Sequence, residues 1–289
     1  MSPPPKTSFL RRLAAALKME LREHKSSFFV YILLRALVVV TAIMQIGNGN
    51  YENVFLCILT LLLLLVPSLL QLTLRIELPS VLEIILLVFI FAAEILGEIQ
   101  EFYMLIPFWD TLLHTLNGFL AAAIGFSLVD LLNKSRKITF QLSPLFTAIV
   151  ALSFSMTIGV IWEFFEFAMD QFFGMDMQKD TVVHIIRSVT LHPEGHNVPV
   201  VIEGITETVV QGQDLGVGGY LDIGLIDTMA DLLVNFIGAV VFSFFGYFYV
   251  KHRGRGSRIV AGLLPRRKEA DQDFLRIAEE QAEEGQGEP

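Results

Sequence analysis

Six long apolar stretches dominate this sequence, and they restrict the chain to a membrane fold. They cover residues 28–46, 53–74, 80–97, 109–132, 145–172 and 223–250. A helix needs about 20 mostly apolar residues to cross a bilayer. The chain is also 53% hydrophobic, with a mean hydropathy of +0.58, which exceeds the usage of soluble domains. The sequence therefore predicts an all-α polytopic membrane protein with a six-helix transmembrane bundle.

The basic residues fall in alternate connections and so predict the orientation of the spans. Lys and Arg near span ends are retained on the cytoplasmic side. The connection between spans one and two, "GNGNYEN", and that between spans three and four, "GEIQEFYMLIPF", contain neither residue. We therefore expect both termini in the cytoplasm. The basic residues on that side are Lys6, Arg11, Arg12, Lys18, Arg22, Lys25, Arg75, Lys134, Arg136, Lys137, Lys251, Arg253, Arg255 and Arg258.

Three segments follow from this topology. Residues 1–27 form a basic cytoplasmic arm, residues 28–250 the six-span membrane domain, and residues 251–289 a cytoplasmic tail that is basic and then acidic. The arm carries "TSFLRRLAAALKMELREHK", whose helical spacing predicts either a helix along the inner membrane surface or a solvated one. The acidic end of the tail predicts a loose helix that frays into disorder.

Acidic and polar side chains enter the outer halves of four predicted spans. They are Glu94 and Glu98 in span three, Asp110 and His114 in span four, Glu163, Glu166 and Asp170 in span five, and Asp227, Asp231 and Asn235 in span six. Within spans four, five and six, residues three or four apart share one helix face. An ionised carboxylate facing lipid costs at least ~2.5 kcal/mol near the bilayer centre. These faces are therefore expected to line a polar cavity that opens to the extracytoplasmic side.

Pairs in this set have the spacing with which helix bundles build metal sites. The predicted ligands are Asp110, His114, Glu166, Asp227 and Asp231. A set of oxygen ligands with one imidazole suits Mg²⁺, Mn²⁺ or Ca²⁺, and Zn²⁺ stays open. Glu163 or His114 is the predicted catalytic base. Glu98, Asp170 and Asn235 complete the predicted polar site.

Structural roles compete with this interpretation for some of the residues. Asp110 follows two aromatic residues and could cap span four, Asp227 could be interfacial, and His114 could be bonded within the bundle. Glu163, Asp231 and Asn235 lie one to three turns inside their spans, where capping does not apply. Ionisable groups within a membrane are by default candidates for a functional site.

Three functional classes remain open. The first is an enzyme acting on a lipid or cell-envelope substrate at the outer leaflet, the second an ion- or proton-coupled transporter, and the third a membrane assembly or binding protein. A transporter is expected to show repeats or acids that continue to the cytoplasmic side, and neither is evident. The partners predicted are the lipid bilayer and a lipid or envelope substrate, with no nucleic acid.

The outer connection of residues 174–222 is unusually long for a loop. Its Val- and Ile-rich runs broken by Gly predict one or two short β-hairpins that cap the bundle. Long ordered loops are commonly functional, and this one is expected to act as a lid over the site. The histidines at 184, 192 and 196 are interpreted as ordinary loop residues.

Small residues in spans four and six predict close helix packing around the cavity. Gly118, Gly125 and Gly238 lie within apolar helices, where the absence of a side chain lets two backbones approach. We interpret them as scaffold positions.

Five motifs in order resemble a family of bacterial membrane proteins. They are "GEIQEFY", "WDTLLHTLNG", "WEFFEFAMD", "GMDMQKD" and "LIDTMADLLVNFIGA", and together they resemble the YjdF-like proteins over roughly residues 50 to 250. The Asp four residues before His, and the D-x3-D-x3-N pattern of the last span, are more remotely similar to the VanZ-like proteins, some of which are linked to glycopeptide resistance. The resemblance implies a protein of the bacterial plasma (inner) membrane and supports the same polar positions without naming a reaction.

Overall fold

The computed structural model describes residues 9–23, 25–133, 142–252, 262–268 and 271–284. Six helical segments among them are long and apolar enough to cross a membrane: Ser27–Asn48, Tyr51–Leu74, Ser80–Ile99, Trp109–Asp130, Pro144–Phe173 and Leu225–Lys251. They agree with the six predicted spans to within a few residues, which confirms the all-α polytopic fold. Seven of the basic residues used to predict orientation lie outside the described residues: Lys6, Lys134, Arg136, Lys137, Arg253, Arg255 and Arg258.

The first three spans contain two irregularities that hydropathy did not predict. Helix α1 (Phe9–Glu23) precedes span one, α2 (Lys25–Asn48), and span two consists of α3 (Tyr51–Leu63) and α4 (Val66–Leu74). Pro67 explains the break, because its ring carries no N–H and clashes with the carbonyl four residues earlier, at Leu63. Span three begins as α5 (Ser80–Phe91) and continues as a π-helix (Ala92–Ile99).

Spans four to six pack tightly against one another as the second half of the bundle. Short helix α6 (Phe102–Leu105) leads into α7 (Trp109–Asn133), which packs against α8 (Pro144–Phe173) and α9 (Leu225–Lys251). A Cβ added to Gly118 would lie 1.9 Å from the backbone oxygen of Asn235, and one added to Gly238 would lie 2.0 Å from that of Thr115. The predicted close approach of spans four and six is therefore confirmed.

The connection between spans five and six carries small antiparallel sheets at one end of the bundle, called the loop end here. Strand β2 (Val182–Val183) pairs with β7 (Tyr220–Leu221), β3 (Ile185–Ser188) with β4 (Val200–Glu203), and β5 (Val209–Val210) with β6 (Gln213–Asp214). Both Gln211 and Gly212 have positive φ, as a tight hairpin turn between β5 and β6 requires. The predicted β-hairpins are present.

The two ends of the described chain meet at the opposite end of the bundle, called the terminal end. Strand β1 (Ile76–Glu77) pairs with β8 (Arg266–Arg267), and α10 (Phe274–Glu284) packs against α1. Buried Ala16, Phe274 and Ala278 share a core there, and Lys268 forms a buried ion pair with Glu20. A helix is present in the tail, as predicted, but α10 is not loose, because its apolar face packs against α1. The predicted fraying falls on residues 285–289, which lie outside the described residues.

Candidate functional site

Helices α7 and α9 bring three metal-ligating side chains together near the loop end. The imidazole Nε2 of His114 lies 3.4 Å from Oδ1 of Asp110 and 3.7 Å from Oδ2 of Asp231. One ligand atom of each residue lies within 4.8 Å of those of the other two. His114 and Asp231 are buried, and the Asp110 side chain is 34% exposed. We call these three residues the Asp–His–Asp group.

The local helix geometry explains this convergence. Asp110 is the second residue of α7, in the first turn, where the helix dipole favours a negative charge. It is therefore not the N-cap residue, and its carboxylate faces His114, one turn further along α7. The closest backbone approach of α7 to α9, at Gly118 and Asn235, lies one turn beyond His114 and Asp231. Close packing of the two helices thus sets the spacing of the group.

Glu163 extends the group from α8. Its Oε1 lies 4.0 Å from Nδ1 of His114, on the opposite side of the imidazole from the two aspartates. The side chain is 5% exposed, and its Oε2 has no hydrogen-bond partner among the described residues. Buried polar atoms in proteins are nearly always paired. Metal-bound histidines commonly direct their second nitrogen at a carboxylate, and Glu163 occupies that position relative to His114.

The other predicted site residues have separate hydrogen-bond partners. Oε1 of Glu166 accepts from Nε1 of Trp162 at 2.8 Å, and Oδ2 of Asp227 accepts from the backbone N–H of Lys179 at 2.8 Å. The amide oxygen of Asn235 accepts from Asn117 at 3.0 Å, which links α9 to α7. The structure therefore brings three of the five predicted ligands together. The assignment of Glu166 and Asp227 as ligands stays a prediction.

A short segment directly after α8, residues 175–181, runs across the loop end and is called the strap. The backbone of the strap donates two hydrogen bonds to the carboxylate of Asp170, from Met177 N–H at 2.6 Å and from Gln178 N–H at 2.9 Å. Asp227 accepts from the next residue, Lys179, whose ammonium group lies 3.9 Å from Oε2 of Glu98. The predicted polar residues Asp170, Asp227 and Glu98 thus tie the strap to spans five, six and three.

Lys179 is the residue near the site that the sequence analysis did not select. It is one of two basic residues in the loop between Gly174 and Leu221, the other being Arg187. A lone cation flanked by Asp176 and Asp180 in an otherwise acidic loop was a usable signal. Its placement beside Glu98 makes it a counter-ion for the acids at the loop end.

Tyr103 covers the π-helical half of span three. A Cβ on Gly97 would lie 2.4 Å from the Tyr103 ring, so the ring rests directly on that glycine. Burial, followed by the neighbouring charges of Glu98 and Asp110, raises the pKa of the Tyr103 hydroxyl well above its ordinary value. The hydroxyl is therefore neutral throughout the physiological range.

Comparisons with known proteins bear on the chain as a whole. No curated protein matches it, and no solved structure does. A family model described as "Predicted membrane protein (DUF2238)" matches residues 29–252. The match covers most of the chain, including all six spans, the Asp–His–Asp group, Glu163 and the strap. The chain therefore belongs to the DUF2238 family of predicted membrane proteins.

Proposed function

We propose that the protein binds a divalent cation at the Asp–His–Asp group and uses it to act on a lipid or cell-envelope substrate. The observation that carries this proposal is the convergence of Asp110, His114 and Asp231 within 4.8 Å inside a membrane bundle. Two carboxylates and an imidazole that close together are mutually compatible when a cation neutralises them. The unpartnered Oε2 of Glu163 supports the same interpretation.

The donor set suits catalysis because it is incomplete. Three protein ligands leave coordination positions for water or a substrate oxygen, as catalytic metal sites require. Two oxygen donors and one nitrogen fit Mg²⁺, Mn²⁺ or Zn²⁺, and Ca²⁺ would need additional oxygens. The cation would polarise a substrate oxygen or activate a water. His114 acts as a ligand in this arrangement, and Glu163 orients it through Nδ1; a general-base role for Glu163 stays a prediction.

The proposed location is the extracytoplasmic half of a bacterial plasma membrane, with both termini in the cytoplasm. The distribution of Lys and Arg supports this orientation, because described basic residues on which it rests, such as Arg75 and Lys251, lie at the terminal end. The motif resemblance to the YjdF-like and, more remotely, the VanZ-like proteins supports a bacterial membrane setting. In this orientation the strap, which Asp227 and Glu98 tie to the loop end, is expected to serve as a lid for the group.

An ion- or proton-coupled transporter is the second candidate. Its supporting observation is that Glu94 and Glu163, on different spans, are both buried, and each keeps one carboxylate oxygen without a hydrogen-bond partner in the part of the chain that the structure describes. Carriers use such groups to bind and release cations or protons. The predicted polar residues lie at one end of the bundle, which favours a one-sided site.

Cation binding can be tested on the purified protein. After dialysis against metal-free buffer, we expect stoichiometric metal in the wild type by mass-spectrometric elemental analysis and its loss in His114→Ala and Asp231→Asn. Asp214→Asn, in an exposed loop strand, is the matched control and should retain the metal. Glu163→Gln should weaken binding about 10- to 100-fold, as changes beside metal-bound histidines do.

A weakly held cation would be lost in dialysis, so calorimetric titration with Mg²⁺, Mn²⁺, Ca²⁺ and Zn²⁺ completes the test. The proposal fails if none of the four binds to the wild type, or if His114→Ala and Asp231→Asn bind as the wild type does.

A further inference from the structure

Glu94 is a buried acid that is not part of the proposed cation site. It lies on the π-helical half of span three, and only 2% of the residue is exposed. Its Oε2 has no hydrogen-bond partner among the described residues. Leaving a buried polar atom unpaired destabilises the fold, and more so if the group is charged. A membrane span that keeps such a group requires an explanation.

The helices packed against the π-helix of Glu94 contain no Lys or Arg. The π-helix packs against α3, α5, α6 and α7, and none of these four helices includes a Lys or Arg. Their titratable groups are Tyr51, Glu52 and Cys57 of α3, Glu83 of α5, Tyr103 of α6, and Asp110, His114 and Asp130 of α7. The strap's Lys179 contacts Glu98. An ionised Glu94 would therefore have no Lys or Arg on any of these helices, and their one histidine, His114, lies among Asp110, Glu163 and Asp231.

The arginine within span one, Arg35, lies at a different depth in the membrane from Glu94 and cannot act as its counter-ion. Arg35 of α2 lies 13 residues from the loop end of span one, at Asn48, whereas Glu94 lies five residues from the loop end of span three, at Ile99. Its guanidinium donates to the Tyr31 hydroxyl at 2.6 Å. Because an unpaired buried carboxylate costs several kcal/mol, the neutral acid is the form that this environment favours.

Glu98 provides a contrasting environment nearer to the loop end. Its side chain is 21% exposed, and Oε2 lies 3.9 Å from the ammonium of Lys179. It lies four residues further along the same π-helix than Glu94. One carboxyl is thus buried without a cation, and its neighbour is half-buried beside a lysine. When the environments of two neighbouring acids differ in this way, the buried acid favours the protonated form and the more exposed acid can exchange protons with the solution.

We propose that Glu94 is a proton-binding site, separate from the Asp–His–Asp group, whose proton exchanges with the loop-end solution through Glu98. The π-helix supports this assignment, because π-helical turns within α-helices occur frequently at functional sites. Protonation gives Glu94 an O–H donor and removes its charge, which makes it compatible with the apolar surroundings. Lys179, 3.9 Å from Glu98, favours the ionised form of that carboxyl, which is the form that accepts the proton.

Infrared spectroscopy of the protein in lipid tests this directly. At pH 7 the wild type should show the carbonyl stretch of a protonated carboxylic acid, and Glu94→Gln should lose one group's share of that intensity. Glu98→Gln is the matched variant: it should keep the band and slow its hydrogen–deuterium exchange at least several-fold. If Glu94→Gln leaves the band unchanged, Glu94 is ionised and the proposal is wrong. An unchanged exchange rate in Glu98→Gln would rule out the path through Glu98.

The stability of the variant provides a second, independent reading. A glutamine amide is a neutral isostere of the protonated carboxyl, so Glu94→Gln should melt within a few degrees of the wild type. A variant that melts much lower, or does not fold, would show that the negative charge is needed and would contradict the proposal. Metal binding in Glu94→Gln should equal that of the wild type, so failure of this proposal and of the cation site are distinguishable.

Discussion

Replacing Gly118 with alanine is the sharpest test of how packing positions the site. The added Cβ would lie 1.9 Å from the backbone oxygen of Asn235, 2.7 Å from its carbonyl carbon and 2.9 Å from its Cα. Ordinary van der Waals contact begins at 3.4 Å. The atoms concerned belong to the backbone of α9, so no side-chain rotation can relieve the clash. Helix α9 must therefore move away from α7 by about 1.5 Å.

This displacement has two consequences of calculable size. Overpacking of a tight interface costs about 1–3 kcal/mol, which is up to a hundredfold in the folding equilibrium. Asp231 lies one turn from Asn235 on α9, so its oxygen moves away from His114 as well. Widening their 3.7 Å separation by that amount gives about 5 Å, which is the limit for two ligands that each bind one cation at 2.0–2.6 Å.

Thermal unfolding in detergent and calorimetric cation titration measure the two effects separately. Gly118→Ala should lower both the melting temperature and the cation affinity, the latter by at least tenfold. Gly125→Ala should cost less, because its Cβ would lie 2.7 Å from the Cβ of Phe154, a smaller overlap than the 1.9 Å approach at Gly118. Gly47→Ala, with nothing within 4 Å, is the control and should be neutral or slightly stabilising. A Gly118→Ala protein with wild-type stability and affinity would refute the reasoning.

Two further predictions concern the strap and the π-helix. Asp170→Ala removes the acceptor for two strap N–H groups, so a cysteine placed at Gln178 should react several-fold faster with a water-soluble thiol reagent. Asp170→Asn keeps one acceptor oxygen and should change the rate less. Equal reaction rates in the two variants would contradict the conclusion that Asp170 holds the strap in place. The raised pKa of Tyr103 favours the neutral phenol in the folded state, so its stability contribution is intact below the ordinary tyrosine pKa and is lost as the pH rises through the folded value. Tyr103→Phe should therefore flatten the fall of melting temperature above pH ~10, and an equally steep fall in the variant would refute this.

Hydropathy alone predicted the spans, because the cost of exposing polar backbone to lipid leaves helices as the only solution for these apolar runs. The same reasoning placed His114 and Asp231 inside the bundle, and helical spacing placed Asp110 beside His114. Which acids would meet across helices could not be predicted. That depends on helix rotation and crossing, which Gly118 and Gly238 set through contacts that only the three-dimensional structure reveals.

The features that the sequence did not predict depend on contacts distant along the chain. Helix α10 was expected to fray, yet it packs against α1, more than 250 residues earlier. The π-helix of span three has no marker in hydropathy, because hydropathy reports an apolar run and not which backbone hydrogen bonds form within it. The strap is ordered by Asp170 and Asp227, two acids that the sequence analysis assigned to the site for other reasons.

The negative charges of the acids at the loop end are neutralised in two different ways, by a metal ion or by a proton. The arrangement of neighbouring ligands determines which of the two applies. Where Asp110, His114 and Asp231 converge from two helices, their donor atoms lie close enough to share one cation, which neutralises both carboxylates at once. Glu94 has no such partners, and a lone carboxylate oxygen is too few ligands to hold a cation in an apolar span. A proton is the one cation that needs a single ligand. Convergence therefore predicts metal binding and isolation predicts protonation. Asp231→Asn should lower the metal content and keep the Glu94 share of the carboxylic acid band, whereas Glu94→Gln should keep the metal content and lose that share.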